Sequence, residues 1–182
     1  MLIILLRNNK RIFFPIILSI LFFITIYYIE YKTSAYFKYF SIYLTFVFIV
    51  FIYFYMQKKY FLSTILYSLI VFSILMFRNI LDERVINLKS YLSEWIKLIF
   101  TNKIVLMNII GNILLFIPFI VLFKKMKISI FASIIYTILI IISMELLQFL
   151  TKRGIFDIVD VYLNCLGILL ASLVRFIEVK LL

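Results

Sequence analysis

The sequence predicts an all-α bundle of membrane-spanning helices, and three observations lead to that fold class. Hydrophobic residues make up 66% of the 182 residues. The mean hydropathy of the chain is +1.21. Several uncharged apolar runs are about 17 to 23 residues long, which is the helix length needed to cross a bilayer. Because unpaired backbone groups are very costly in lipid, we expect each run to be a helix rather than a strand.

Six apolar runs are candidate spans, and polar or basic residues separate them. At 1.5 Å per residue each is long enough to cross about 30 Å of hydrocarbon, although the second and third are near the lower limit. The first run lacks a following small-residue cleavage site, so we expect a retained span and not a signal peptide. The runs are residues 12–29, 40–56, 61–77, 104–123, 128–150 and 158–177.

The longest interruption between these runs is the segment 78–103. Its apolar residues recur at three- and four-residue spacing, while charged residues occupy the other faces. We expect an amphipathic helix lying on the bilayer surface, with Trp95 at the depth of the lipid headgroups. The predicted organisation is three N-terminal spans in residues 1–77, the interfacial segment in 78–103 and three C-terminal spans in 104–182.

The basic residues are spread in short groups between the apolar runs, although the net charge is +11. This distribution indicates topology signals and contacts with anionic lipid headgroups, and it does not indicate a nucleic-acid surface. The short loops carry more Lys and Arg on the side of the N-terminus than on the other side, so both termini are expected to be cytoplasmic. The segment 78–103 is expected on the opposite side and is also basic, so it reduces this difference between the two sides.

The residue types limit the available chemistry. The chain has no histidine, which removes the usual general base and the commonest metal ligand. Cys165 is the single cysteine, so it has no intrachain disulfide partner, and its place in an apolar run predicts ordinary packing. We expect no metal and no cofactor.

Polar residues converge at one end of the last three spans. These spans are consecutive and antiparallel, so the end of the fifth meets the starts of the fourth and sixth at one membrane face. Within each span the polar residues recur at helical spacing, which places them on one side of the helix. The predicted cluster consists of Asn108, Asn112, Glu145, Gln148, Arg153, Asp157, Asp160 and Asn164.

The fifth span carries a longer polar stripe that leads to this cluster. Ser133, Thr137 and Ile141 continue to Glu145 at four-residue spacing, and this face is expected to pack inward. Such a cluster could simply be a hydrogen-bond network that holds the helices together. Ionisable residues inside spans are costly and usually serve a function, and here they are concentrated at one end, so a functional site is favoured.

Glycine and proline positions suggest how the helices are shaped. Gly111 and Gly167 are expected to allow close helix packing. Pro118 is expected to kink the fourth span. Gly154 follows two basic residues and is expected to end the fifth helix as its C-cap.

Four segments of the chain resemble the VanZ-like membrane proteins. NIIGNILLFIPF at 108–119, MELLQ at 144–148 and RGIFDIVDVYLNCLG at 153–167 resemble three signature segments of that family, in matching order and spacing. ERVINL at 83–88 resembles the preceding R-x-x-N-L element, but Lys89 and the residues after it replace the usual apolar-Pro-Phe continuation. Carried over by position, the family's characteristic residues are Arg84, Asn87, Asn108, Gly111, Asn112, Pro118, Glu145, Gln148, Arg153, Asp157, Asp160, Asn164 and Gly167.

The resemblance implies a protein of the bacterial cytoplasmic membrane that is linked to lower susceptibility to teicoplanin-type glycopeptide antibiotics. The favoured hypothesis is a non-enzymatic protein whose outward-facing site engages a lipid-linked cell-wall precursor, an anionic lipid or the antibiotic. In this hypothesis Arg84 and Arg153 hold a phosphate or carboxylate group.

Two alternatives stay open. An intramembrane enzyme acting on a lipid-linked substrate could use Glu145 as acid or base, with Asp157 and Asp160 as a second carboxylate or as ligands for Mg²⁺. The sequence shows no nucleophile with a base beside it, which disfavours this reading. A proton-coupled transporter could use Glu145 as a relay, but no inverted repeat is visible.

Overall fold

The computed structural model describes residues 2–33, 37–87 and 102–181, and within them the all-α fold class is confirmed. In these residues two very short strands lie between the helices. In chain order the elements are α1 (Leu2–Thr33), α2 (Phe40–Met56), α3 (Tyr60–Met76), β1 (Ile86–Asn87), α4 (Lys103–Leu115), α5 (Ile117–Lys125), α6 (Ile130–Thr151), β2 (Phe156–Asp157) and α7 (Ile158–Leu181).

Four stretches of the described chain are long and apolar enough to cross a membrane: Phe14–Lys32, Val105–Lys125, Ile130–Thr151 and Ile158–Ile177. Helices α2 and α3 are apolar but have 17 residues each. At 1.5 Å per residue they are about 26 Å long, slightly shorter than an average hydrocarbon core. The six predicted spans therefore correspond to four full-length stretches and two shorter helices.

The chain forms two compact units, Met1–Asn79 and Ile80–Leu182. In the first unit, α2 packs against both α1 and α3, and its core includes Leu44 and Ile70. Glu30 near the end of α1 accepts a hydrogen bond from the backbone N–H of Ser41 at 2.9 Å. This carboxylate therefore satisfies a free amide in the first turn of α2, where a negative charge is also favoured by the helix dipole.

In the second unit, α7 packs against α4, α5 and α6. Its neighbours provide a core of large apolar side chains, including Phe116, Phe119 and Ile120, each about 1% exposed or less. The inward-facing stripe predicted on α6 is confirmed, because its buried residues are Ser133, Thr137, Ile141, Glu145 and Gln148. The polar stripe of α6 is therefore inside this unit.

The two glycines predicted at helix contacts have different surroundings. Gly167 on α7 is buried, and a Cβ built there would lie 1.9 Å from the carbonyl oxygen of Ile113 on α4. Gly111 is exposed, and a Cβ built there has no other atom within 4 Å. The backbones of α4 and α7 thus meet at Gly167, whereas Gly111 makes no such close contact within the described residues.

The predicted fourth span is divided into two helices. Helix α4 ends at Leu115 and α5 begins at Ile117, with Phe116 between them at φ −104° and ψ −5°. Pro118 is in the first turn of α5, where a missing backbone N–H costs nothing. The break therefore occurs just before the proline, as a proline-induced kink requires.

Helix α6 ends at a lysine and not at the predicted glycine. Lys152 is the C-cap, with φ 56° in the left-handed region, and the N–H of Arg153 donates to the carbonyl of Gln148 at 3.0 Å. The prediction of Gly154 as C-cap is wrong because the helix turns two residues earlier. Gly154 instead packs on Gln148, whose Nε2 would be 2.8 Å from an added Cβ.

A short parallel ribbon joins the segment before α4 to the turn before α7. β1 pairs with β2 in the register Ile86 with Phe156 and Asn87 with Asp157. Hydrogen bonds extend the pairing, because the N–H of Leu81 donates to the carbonyl of Lys152 at 2.7 Å. The beginning of the segment 78–103 is therefore extended, and the predicted interfacial helix falls largely on residues 88–101, outside the described part of the chain.

We predict that Gly167→Ala destabilises the protein by about 1–3 kcal/mol or more, since its Cβ would collide with backbone and not with a movable side chain. Gly111→Ala is the matched control, because it adds the same methyl group to α4 in open space. The control should leave the free energy of unfolding unchanged, or raise it by up to about 1 kcal/mol because alanine has the higher helix propensity. Thermal unfolding of both detergent-solubilised variants measures the difference, and equal behaviour would contradict the contact.

Candidate functional site

The ribbon places an amide beside a carboxylate at the start of α7. Asn87 donates from Nδ2 to Oδ2 of Asp157 at 2.9 Å. The other carboxylate oxygen of Asp157 accepts from the N–H of Val159 at 2.8 Å. Such a bond satisfies one of the free amides at a helix N-terminus, where a negative charge is favoured by the dipole. Asp157 therefore fixes both the ribbon and the first turn of α7.

A second amide and carboxylate pair links α4 to α7. Asn112 donates from Nδ2 to Oδ1 of Asp160 at 2.5 Å, and both side chains are half-buried. Hydrogen bonds to an ionised acceptor are stronger than neutral ones, and they gain further in a low-dielectric surrounding. This bond holds α4 and α7 together at the polar end of the second unit.

Three polar side chains of the predicted cluster are deeply buried. Glu145 and Gln148 on α6 are 5% and 4% exposed, and Asn164 on α7 is 2% exposed. Within the described residues, Oδ1 of Asn164 accepts no hydrogen bond. A buried acceptor of this kind usually has a partner such as water or a ligand. Asn164 therefore adds an available carbonyl oxygen to the cluster.

Basic side chains lie near the C-terminal end of α6 and along the ribbon. Exposed Arg84 donates from Nη2 to the carbonyl of Leu150 at 3.4 Å, and Lys152 donates from Nζ to the carbonyl of Asp82 at 2.9 Å. Arg153, half-buried, follows the helix directly. Cations are stabilised at a helix C-terminus because the last carbonyls and the dipole attract them. The cluster thus combines carboxylates and amides with guanidinium groups at its edge.

The structure brings most of the predicted residues together, but not all of them. The two hydrogen-bonded pairs are Asn87 with Asp157 and Asn112 with Asp160. Glu145 and Gln148 on α6 and Asn164 on α7 are buried where these helices pack within the same unit. Asn108 differs, because it is exposed on α4 and makes no hydrogen bond within the described residues.

Sequence reasoning missed the ribbon, which carries Asn87 to Asp157. The sequence pattern that could have predicted the ribbon is weak. It consists of two dipeptides far apart in the chain, Ile86-Asn87 and Phe156-Asp157, each with an apolar residue before a polar one. The ribbon also gives the Arg84 segment a defined position beside the α6 to α7 turn, which the sequence did not provide.

The chemistry of the site follows from these groups. In the described part of the chain, no three Asp, Glu or Cys side chains are grouped closely enough to hold a metal ion. The carboxylates of Asp157 and Asp160 accept hydrogen bonds from asparagine amides. Amide, carboxylate and guanidinium groups can together donate to and accept from a ligand that carries both an anionic group and polar groups.

The sequence model of the protein family described as VanZ/LLP1 matches residues 40–177. The matched region covers about three quarters of the chain and includes every residue of the polar cluster. It begins at α2, so it also includes two helices that contain none of the four signature-like segments. No curated protein and no solved structure is significantly similar to the chain.

We predict that Asn112→Leu lowers stability by about 0.5–2 kcal/mol, the usual range for an interhelical hydrogen bond in a membrane protein. The substitution keeps the shape of the side chain but removes the donor to Asp160. Asn108→Leu, one turn earlier on the same helix, is the control and should cause no such loss. Thermal unfolding in detergent distinguishes them, and an equal loss in both variants would rule out a specific role for the Asn112 bond.

Proposed function

The chain belongs to the VanZ/LLP1 family, and from that premise we propose that it lowers bacterial susceptibility to teicoplanin-type glycopeptides by binding a ligand in its polar cluster. The ligand is an anionic amphiphile of the cell envelope: a lipid-linked cell-wall precursor, an anionic lipid or the antibiotic itself. One observation carries the proposal. Two Asn–Asp hydrogen bonds link β1 and α4 to the start of α7, in a unit whose helices also bury Glu145, Gln148 and Asn164.

The composition of the cluster supports an anionic ligand with further polar groups. The planar guanidinium groups of Arg84 and Arg153 suit phosphate or carboxylate, which they can contact with two parallel hydrogen bonds. Gln148 and Asn164 offer amide groups that suit hydroxyl and peptide groups. Since the surrounding helices are apolar, the lipid tail of such a ligand would remain in the bilayer.

The distribution of charge supports an outward-facing site in the cytoplasmic membrane. Within the second unit, Asp160 and Arg175 are separated by about 22 Å along α7 at 1.5 Å per residue. The end near Arg175 also carries the basic turn with Lys124, Lys125 and Lys127. Basic residues in short loops favour the cytoplasmic side, so the polar cluster would face outward. Both termini would then be cytoplasmic.

The hydrogen bonding of the carboxylates favours binding over catalysis. An acid or base role for Glu145 in an intramembrane enzyme would require a second carboxylate or a metal. Asp157 and Asp160, the nearest such groups in sequence, already accept hydrogen bonds that hold β1, α4 and the first turn of α7. Their contacts suit a structural role around the binding site.

We predict that Arg153→Ala, Glu145→Gln and Asp160→Asn each return teicoplanin susceptibility to that of cells lacking the protein. For Arg153→Ala, binding of a lipid-linked precursor by the purified protein should weaken about tenfold or more, since a hydrogen bond to a charged group contributes about 1.5–3 kcal/mol. Susceptibility tests at matched protein levels, together with membrane lipid profiles, measure these effects. Turnover of the precursor by the wild type would instead establish an enzyme.

Lys58→Ala is the matched control for charge, because Lys58 is an exposed basic residue in the turn after α2. It should leave both susceptibility and binding unchanged. If Arg153→Ala accumulates normally and keeps full resistance, the binding proposal is wrong. Loss of the protein in all three variants would show that the cluster serves to hold the helices together.

A further inference from the structure

Arg175 lies buried at the end of the second unit that is remote from the polar cluster. Its residue exposure is 8%. It donates from Nη1 to Oγ of Ser133 at 2.9 Å and from Nη2 to the carbonyl of Ile128. In the sequence, Arg175 is one of the dispersed basic residues near the ends of the apolar runs, but the structure turns its guanidinium group into the bundle against the start of α6.

The guanidinium group of Arg175 donates to two neutral acceptors, a hydroxyl and a backbone carbonyl. Within the described residues it forms no ion pair. An arginine keeps its charge in a protein, and a desolvated charge without a counter-ion is costly. In a membrane protein such a residue usually meets a partner of opposite charge. Among the described residues, the charge of Arg175 therefore has no anionic partner.

Two buried polar atoms in this part of α7 have no hydrogen-bond partner in the described part of the chain. They are Nε of Arg175, which belongs to the guanidinium group itself, and Oγ of Ser172. Ser172 is 6% exposed and precedes Arg175 by three residues, so the two side chains lie on the same face of α7. Both atoms can donate a hydrogen bond. A group with several acceptor oxygens offers a partner for each of them.

The location also suits an anion at the depth of lipid headgroups. Arg175 is two residues before the end of the apolar stretch Ile158–Ile177, or about 3 Å at 1.5 Å per residue. Lys125 and Lys127 are exposed in the turn that leads to Ile128. This turn precedes the N-terminus of α6, whose dipole favours negative charge.

We propose that Arg175, Ser172 and the neighbouring lysines form a binding site for the phosphate group of an anionic phospholipid. A guanidinium group matches the geometry of phosphate oxygens, the Ser172 hydroxyl supplies a further donor, and the exposed lysines attract an anionic membrane surface. The bound phosphate neutralises Arg175 and fixes the end of α7 against the start of α6. The site is independent of the polar cluster and of the function proposed for it.

The full-length protein, purified in micelles of an uncharged detergent that contains no phosphate, with or without added phosphatidylglycerol, tests this site. Phosphatidylglycerol should raise the Tm of the wild type by several degrees, because a ligand that binds only the folded state stabilises it. Arg175→Gln should abolish this rise, and Lys58→Gln, which removes one exposed charge from the other unit, should retain it. An unchanged Tm of the wild type would overturn the proposal, as would an equal rise in Arg175→Gln.

Inorganic phosphate, added to the detergent micelles without phosphatidylglycerol, separates the two possible sources of the anion. Stabilisation by inorganic phosphate without any effect of phosphatidylglycerol would assign the site to a free anion and overturn the lipid proposal. Ser172→Ala and the double change of Lys125 and Lys127 to Gln keep the test decisive if Arg175→Gln does not fold. Both variants should reduce the rise in Tm, and a full rise in both would contradict the site.

Glu178 provides the last discriminating variant. It follows Arg175 by one helical turn in the sequence, and its side chain lies outside the described residues. Glu178→Gln should keep the response to phosphatidylglycerol, because the proposed site does not include this carboxylate. If this variant instead loses stability without phosphatidylglycerol and no longer responds to the anionic lipid, an internal ion pair supplies the counter-ion and the proposal is wrong.

Discussion

The close contact between α4 and α7 is the constraint on which the second unit depends. At Gly167 the backbone of α7 approaches the carbonyl of Ile113 so closely that no side chain fits between them. In lipid, where apolar side chains gain little by meeting each other, small residues drive helix association because they let backbones approach. This approach brings Asn112 within hydrogen-bonding distance of Asp160 and thereby closes one side of the polar cluster.

Polar groups in this unit are stabilised by neighbours on other elements. The asparagine amides of β1 and α4 donate to the two aspartates at the start of α7. At the other end, Arg175 is held by Ser133, whose hydroxyl in turn donates to the carbonyl of Ser129 at 2.7 Å. Apolar residues such as Ile141 occupy the middle of the same stripe. The bundle therefore has a polar region at each end and an apolar centre.

Residue spacing predicted a large part of the fold and the cluster. The helical stripe from Ser133 to Glu145 is buried as expected, and Pro118 follows a break in the fourth span. The spacing did not identify which asparagine of α4 faces α7, since Asn108 and Asn112 are one turn apart and only Asn112 reaches Asp160. Which of them reaches Asp160 depends on how α4 packs against α7, and the residue spacing within α4 does not contain that information.

The sequence by itself determined the helical class, the positions of the apolar helices and the end at which most polar residues gather. It could do so because lipid requires each backbone group to pair within its own segment, so length and composition are sufficient. The tertiary structure alone decided the ribbon between β1 and β2, the C-cap at Lys152 and the burial of Arg175. These features depend on the distance and rotation between segments far apart in the chain, which are set by packing and not by the local pattern.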